Sequence, residues 1–508
     1  MFVRGKATVL FLWAFAGVGA MLVAWSLATP LAAAPDEPSH ILEAVAIVRG
    51  QFDEPEHPTP LGLEATVRVP RWSDLAKAGV CYGNGLNGYG FGLGVCPGNL
   101  PEDSATTVSL NTQYSNAPPL YYAVVGIPSL FLSGTSGLYA MRVSGDLLNA
   151  ALVALGIWLL LRYFPYRTPL IGVLIALSPM VLFFMSVLTS SGLEISSGFA
   201  SWCGALCVVS HTNVPRALAI WTAVAASFLL LSRPTSPLDL VIIAVVMIFL
   251  VGWRSVRARL NRSLRPLWIP VVGVTAVAFL MLLIDGVPYL QGIRPNHPMS
   301  LLDNMGTTLR LTGVRLLQCI GNFGWLNNPV PTWVVVVWLS ALAVLTAAAL
   351  VLSTTCRRAL PILAVLILAM PLGLESPQIN TVGTYWQGRY WLPVLVGFPL
   401  IASTFEWPTW RLRTSKWTGS SFTLLLGIVL IAAQVASFHQ ALRKNELITI
   451  RGHDITNWTP PGGNLAILLV FLLGAITTLT LAVVMFARQP DVAVMTWQRE
   501  SWSRSSRS

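Results

Sequence analysis

Charge is what this chain has least of: only 10% of its 508 residues are Asp, Glu, Lys or Arg, against about a quarter in an ordinary soluble domain. That scarcity excludes a cytosolic globular protein. Acidic residues are the rarer sign, 21 against 32 basic. The resulting net charge of +11 does not mark a nucleic-acid binder, because the basic residues sit in short segments between apolar runs. Cysteine is sparse, with six residues, and supplies no complete ligand set of the kind structural metal sites use. There is no tandem repeat. The one glycine-rich run, Gly83 to Gly94, lacks the preceding buried strand and following helix of a dinucleotide cradle; it reads as a flexible or tightly turning lid, with Tyr89 and Phe91 either a stacking face or ordinary aromatics of a membrane interface.

What the chain has in quantity is apolar length, 54% of it being hydrophobic. A bilayer core of about 30 Å is crossed by about 20 helical residues, and apolar runs approaching or reaching that length recur from Phe11 to Phe486. They predict an all-α polytopic membrane protein with about 12 transmembrane helices. The predicted spans are 9–29, 139–161, 169–188, 195–210, 217–231, 237–253, 267–284, 332–353, 360–374, 390–403, 421–438 and 464–486. The apolar run 119–132 is too short to cross and reads as a helix lying at the outer interface. Leu31-Ala32-Ala33-Ala34 resembles a signal-peptide cleavage site. The run before it, however, is longer than a signal core of about 7–15 residues, and Pro35 would follow the cut, so the run reads as a retained anchor.

The basic segments are Arg4 and Lys6, Arg162 and Arg167, Arg254 through Arg265, Arg357 and Arg358, Arg411 through Lys416, and Arg488 onward. Such turns face the cytoplasm. With both termini inside, 19 of the 32 basic residues fall on the cytoplasmic side, but only Glu406, Asp491 and Glu500 among the acidic ones. The expected organisation is an anchor at 1–30 and an extracytoplasmic loop at 31–136, which bears interfacial helices and the candidate active site. Helices 2–7 follow at 137–284, a second extracytoplasmic loop at 285–331, helices 8–12 at 332–487, and a basic cytoplasmic tail at 488–508.

The densest chemistry opens the first loop, in Pro35-Asp36-Glu37-Pro38-Ser39-His40-Ile41-Leu42-Glu43. Pro38 suits a first helical turn, with Asp36 or Glu37 capping and Gly50 ending the helix, which puts His40 and Glu43 on one face. Two readings stand for the carboxylates. They offset the helix dipole, or they form a general base at the membrane surface beside a lipid-borne substrate. Asp36, His40 and Glu43 also leave a divalent cation open, although three ligands on one short helix rarely converge unaided. Arg389, at the outer end of span 390–403, suits bidentate phosphate binding or simple snorkelling beside Trp386 and Tyr390. Arg233 is a second candidate cation, with Asp239 as its alternative partner. Arg142 and Asp146 stand four apart and read as an intrahelical ion pair. Cys81 and Cys96 share the first loop, an oxidising setting, and are expected to form a disulfide.

Taken in order, Pro35-Asp36-Glu37-Pro38-Ser39-His40, Pro118-Pro119-Leu120-Tyr121-Tyr122, Ser178-Pro179-Met180 and Gln387-Gly388-Arg389-Tyr390 make the chain similar to the GT-C superfamily of membrane glycosyltransferases. It more closely resembles the bacterial membrane-protein family called domain of unknown function 2142. The resemblance implies a GT-C-like fold in the bacterial inner membrane. It further implies an enzyme taking a sugar from a polyprenyl-phosphate donor to a glycan, lipid or protein acceptor on the outer face. Asp36 then matches the superfamily's catalytic carboxylate, with Glu37 beside it. His40, Gln387, Arg389, Tyr390 and Arg233 become substrate-binding candidates. Glu194, expected in the turn between the third and fourth spans, resembles an acidic position of the second external loop. Some members of the superfamily use a divalent ion, and no other cofactor is implied.

The residue types suit that chemistry. Displacing a lipid phosphate from an anomeric carbon needs one carboxylate to take the acceptor proton and cations to hold the departing phosphate. The alternatives are a transporter or flippase of lipid-linked sugars, which would place polar groups near the bilayer midplane, and a non-catalytic envelope-assembly protein.

Overall fold

A computed structural model describes residues 2–52, 54–59, 62–75, 106–259, 295, 297–405, 416–450 and 453–487. The expected span 267–284, Cys81 and Cys96, Tyr89 and Phe91, and the basic tail 488–508 lie outside the described residues.

The described chain is mostly helical. Its helices are α1 (Phe2–Ala28), α2 (Glu37–Ile47), α3 (Pro119–Gly126), α4 (Gly134–Tyr163), α5 (Pro169–Ala176), α6 (Pro179–Ser186), α7 (Ser190–Ser210), α8 (Arg216–Leu230), α9 (Ser236–Val251) and α10 (Trp253–Arg259). They continue with α11 (Leu301–Gln318), α12 (Thr332–Leu352), α13 (Thr354–Leu374), α14 (Leu392–Leu395), α15 (Gly397–Ala402), α16 (Lys416–Glu446) and α17 (Asn464–Ala487). Seven of the described helices are long and apolar enough to cross a membrane, and eight if the bent pair α5–α6 is counted as one span. The expected spans 217–231, 237–253 and 390–403 fall on shorter apolar helices, so length alone does not establish a count of twelve.

Strands are few. Antiparallel β1 (Glu56–Thr59), β2 (Gly62–Pro70) and β3 (Thr107–Thr112) form a sheet between α1 and α4. Ala65, Val67 and Val69 are buried along β2, and the sheet packs against α2. Two-residue strands β4 (Asn322–Phe323) and β5 (Asn328–Pro329) pair after α11, and β6 (Leu447–Ile450) pairs with β7 (His453–Asn457) after α16. The segment after residue 438, expected as loop, instead continues α16 to Glu446 before this hairpin.

Helix α1 packs on both α4 and α17. A Cβ on Gly17 would stand 2.5 Å from Thr478 Oγ1, and one on Gly474 2.6 Å from the Gly17 carbonyl. Small residues thus let these two backbones approach closely, as they do in membrane helix pairs.

Helix α11 occupies the expected loop 285–331, where no helix was expected. It buries Asn304, Thr308, Thr312 and Arg315 and exposes Leu302, Leu309, Val314 and Leu317. This reverses the water-facing amphipathic pattern.

Candidate active site

The site is built where α1 ends. Pro30 follows the helix, and the last carbonyls of any helix lack intrahelical partners. Arg142, from α4, supplies one to Ser26 in the last turn and donors to two carbonyls just beyond it. Its Nη1 donates to the carbonyls of Ser26 (2.9 Å) and Thr29 (2.5 Å), and its Nη2 to that of Pro30 (2.8 Å). The rest of the guanidinium meets Glu37, at 2.7 Å from Nε to Oε1 and 2.6 Å from Nη2 to Oε2. Glu37 also accepts from the backbone N–H of Ala32 and Leu188. The expected Arg142–Asp146 pair is therefore corrected. The carbonyls at the end of α1 draw the guanidinium away from its own helix, and Asp146 accepts from Ser26 Oγ at 2.7 Å.

Glu37 is fully buried and its carboxylate is consumed by four donors. That geometry suits holding the turn rather than touching a substrate. The turn it holds places Asp36 at φ 63°, a left-handed conformation that non-glycine residues rarely adopt and that Asp tolerates better than most. Pro38 lies in the first turn of α2, and Gly50 (φ 81°) follows its end.

Asp36 Oδ2 accepts from Arg389 Nη2 at 2.5 Å across 353 residues of sequence. The Asp36 side chain is 28% exposed and Arg389 only 4%, so the carboxylate is the open member of the pair. Burial alone would raise the Asp36 carboxyl, but the Arg389 guanidinium, with smaller contributions from His40 and a hydrogen bond from Tyr114, outweighs it and holds the group below its ordinary 3.8. Arg389 also donates to Tyr390 OH at 3.1 Å and lies 5.0 Å from the Tyr390 ring and 5.7 Å from that of Phe184.

Arg233 lies 5.0 Å from the same Tyr390 ring. Its ion partner is Glu194, at 3.3 Å, rather than Asp239. Glu194 also accepts from Ser236 Oγ at 2.8 Å. It sits in the first turns of α7 rather than in a connecting turn, because Thr189 caps the helix through the Ser191 N–H and so starts it earlier than expected. Arg233, Tyr390, Arg389 and Asp36 thus form one cluster, and Glu194 anchors it through Arg233.

Beneath Asp36, His40 is buried with both ring nitrogens engaged, Nδ1 2.8 Å from Tyr122 OH and Nε2 3.1 Å from Thr189 Oγ1. Tyr114 stacks on it with ring centroids 3.8 Å apart. Burial pushes His40 down to about 3, so the ring is neutral, one nitrogen donating and the other accepting. Glu43 is buried with Oε2 unpartnered among the described residues, and burial pushes it up to about 7. Among the described residues no three His, Cys, Asp or Glu side chains are grouped to hold a metal ion. Asp36, His40 and Glu43 do not fit as a ligand set, since the first faces Arg389 and the second has no free nitrogen. Cys203, Cys207, Cys319 and Cys356 are buried and free.

The sequence motifs interlock. Pro179 breaks the helix between α5 and α6, which bend by 64°. Ser178 Oγ donates to the Cys319 carbonyl (2.9 Å) and Met180 N to that of Ile320 (3.0 Å). Cys319 Sγ in turn donates to the Gly388 carbonyl (3.2 Å), and Gly388 N donates to Gln318 Oε1 (3.0 Å). A Cβ on Gly388 would lie 2.7 Å from the Arg315 carbonyl, so glycine is needed for this approach. Glu375, paired with Arg315 at 2.6 Å, accepts from Trp386 N at 2.7 Å. Arg315, Glu375 and Tyr114 are not legible in the sequence; an Arg and a Glu standing separately upstream of the Gln-Gly-Arg-Tyr motif carry no local signal.

The family described as "Predicted membrane protein (DUF2142)" matches residues 20–398. No curated protein matches the chain. Among solved structures, the crystal structure of ArnT from Cupriavidus metallidurans in the apo state is similar with a TM-score of 0.45 and 11% identity, over 96% of this chain and 78% of that one.

Proposed function

This chain belongs to the DUF2142 family of predicted membrane proteins, and we propose that it is a membrane glycosyltransferase. It moves a sugar from a polyprenyl-phosphate donor to a cell-envelope glycan, lipid or protein acceptor on the extracytoplasmic face of a bacterial inner membrane. The observation that carries this reading is the Asp36–Arg389 pair, which puts a partly open carboxylate against a buried guanidinium. A base and a phosphate ligand are thereby within one hydrogen bond of each other.

In the reaction Asp36 accepts the proton of an acceptor hydroxyl as that oxygen attacks the anomeric carbon. The bond from that carbon to the phosphate oxygen breaks with inversion, and its electron pair leaves on the phosphate. Arg389, with Arg233 across the Tyr390 ring, meets the charge that develops there. Glu37 and Arg142 act through position, by fixing the turn on which Asp36 stands. His40, neutral and doubly bonded, stiffens the floor of the site.

The test is transfer of a radiolabelled sugar from polyprenyl phosphate by the purified full-length protein. Asp36→Asn should abolish transfer while the protein still folds with a cooperative melt, since Asn also tolerates a left-handed backbone, at a midpoint lowered because buried Arg389 loses its ionic partner. Full activity in that variant overturns the reading. Movement of intact lipid-linked sugar across vesicles without bond cleavage would instead favour the transporter.

A further inference from the structure

Twelve buried side-chain nitrogen or oxygen atoms have no hydrogen-bond partner among the described residues, and three of them fall within four consecutive residues: Trp386 Nε1, Gln387 Oε1 and Arg389 Nε. Buried polar atoms are bonded in the large majority of cases, so a cluster of exceptions calls for an occupant. Loose packing does not explain it. Around these atoms the backbone is secured, with Trp386 N on Glu375, Gly388 N on Gln318, the Gly388 carbonyl on Cys319, and Tyr390 N on the Gln387 carbonyl. What is left unused is the Trp386 indole N–H, the Gln387 amide oxygen and the Nε of Arg389.

Two of these are N–H donors on side chains that both lie against one ring. The Trp386 ring centre lies 5.5 Å, and the Arg389 guanidinium carbon 5.0 Å, from the ring centre of Tyr390. Arg389 spends Nη2 on Asp36 and Tyr390, which leaves Nε to a second acceptor. Phosphate oxygens accept and do not donate, so they suit a pair of N–H groups, one of them cationic. A carboxamide suits a hydroxyl, which both donates and accepts.

We propose that Trp386, Gln387 and the Nε edge of Arg389 form the headgroup subsite for a glycosyl phosphate. The indole and guanidinium N–H groups hold the phosphate, and the Gln387 amide reads a sugar hydroxyl. This rests on the transferase reading and deepens it. It adds Trp386 as a substrate-binding residue, and it makes the site selective for a sugar ester over a bare lipid phosphate. Because Arg389 bridges the headgroup and Asp36, the anomeric carbon is delivered beside the base.

The test is equilibrium binding to the full-length protein in detergent of farnesyl phosphate and of farnesyl phosphoryl-glucose, -mannose and -galactose. Trp386→Phe keeps the ring and removes one donor, and should weaken every probe about tenfold, the equivalent of one charge-assisted hydrogen bond. Gln387→Ala should reduce the best-bound glycoside to the affinity of farnesyl phosphate and leave farnesyl phosphate itself within about twofold. If both variants bind every probe as the wild type does while Arg389→Gln binds none, the subsite is overturned and the transferase reading stands. If Arg389→Gln also binds normally, or the wild type binds no probe, both are overturned. Should Trp386→Phe fail to fold, the sugar-selective loss in Gln387→Ala decides the matter.

Discussion

Arg142 and Glu37 close on each other at 2.6 and 2.7 Å with neither side chain open to solvent. One guanidinium therefore both ends α1 and fixes the start of α2. Removing one member of a buried pair leaves the other charge uncompensated, at a cost of about 3–5 kcal/mol. Arg142→Met should accordingly lower stability by that order, seen as a large fall in melting temperature in detergent. Arg142→Lys should recover only part of it, since an ammonium lacks the planar fork that reaches three carbonyls and a carboxylate together. An unchanged melt for Arg142→Met would refute this account.

The pH dependence of transfer should show how Arg389 acts on Asp36. A base must be deprotonated to work, and the Asp36 carboxyl is held below 3.8. The acid limb of kcat/KM due to this group therefore lies below pH 3.8, and Asp36 imposes no decline between pH 5 and 7. In Arg389→Gln the favourable charge is gone while the burial remains, so the limb should move to higher pH as the overall rate falls. A limb that stays in place would detach the two residues functionally.

Stability should respond to pH through a different group. His40 stays neutral in the folded chain down to about 3, whereas an unfolded imidazole takes a proton near 6.5. Between those values the unfolded state binds more protons, so stability falls as pH drops, at no more than about 1.4 kcal/mol per pH unit. The depressed Asp36 acts lower still. Its contribution is complete above 3.8 and disappears as pH falls through its folded value. Glu43, pushed up to about 7, acts in the opposite sense over the same range, so the His40 contribution is read by difference: from pH 6.5 to 5 the melting temperature of His40→Gln should rise relative to that of the wild type, and an identical slope would contradict the buried neutral ring.

Gly388→Ala probes the support behind the guanidinium. The added methyl would meet the Arg315 carbonyl and the Gln318 side chain at 2.7 and 2.8 Å, and only displacement of the 386–390 segment from α11 relieves it. Overpacking of this kind costs about 1–3 kcal/mol. We expect KM for the lipid donor to rise, with the global melt lowered only modestly. A normal KM would mean that the approach of α11 does not set the position of Arg389.

Much of this was legible in the sequence. Long apolar runs name their own helices, and Pro38 with Gly50 brackets α2 because each residue has a local backbone preference. The placement of Asp36 just beyond the first long apolar helix, and of Arg389 just ahead of the short apolar helices α14 and α15, was also readable. What escaped was non-local. Pairing Arg142 with Asp146 followed from helical spacing, but the sequence does not display the unsatisfied carbonyls of α1 that outbid it. Helix α11 was missed because its polar stripe faces inward, against Glu375 and Ser376, and so imitates a hydrophilic loop. The Trp386 indole lies one residue outside the recognised motif, and only the surrounding backbone bonds single it out.

The 353-residue separation of Asp36 and Arg389 sets an order of events at the ribosome. At about 5–20 residues per second, roughly 20 to 70 s pass after the carboxylate is synthesised before its guanidinium exists. Arg142 follows Glu37 by only 105 residues and is available far earlier. The nascent chain can thus shape the turn that carries Asp36 first, and a product ending between residues 190 and 388 would hold every side chain and backbone group that clamps Glu37 but not the guanidinium that faces Asp36.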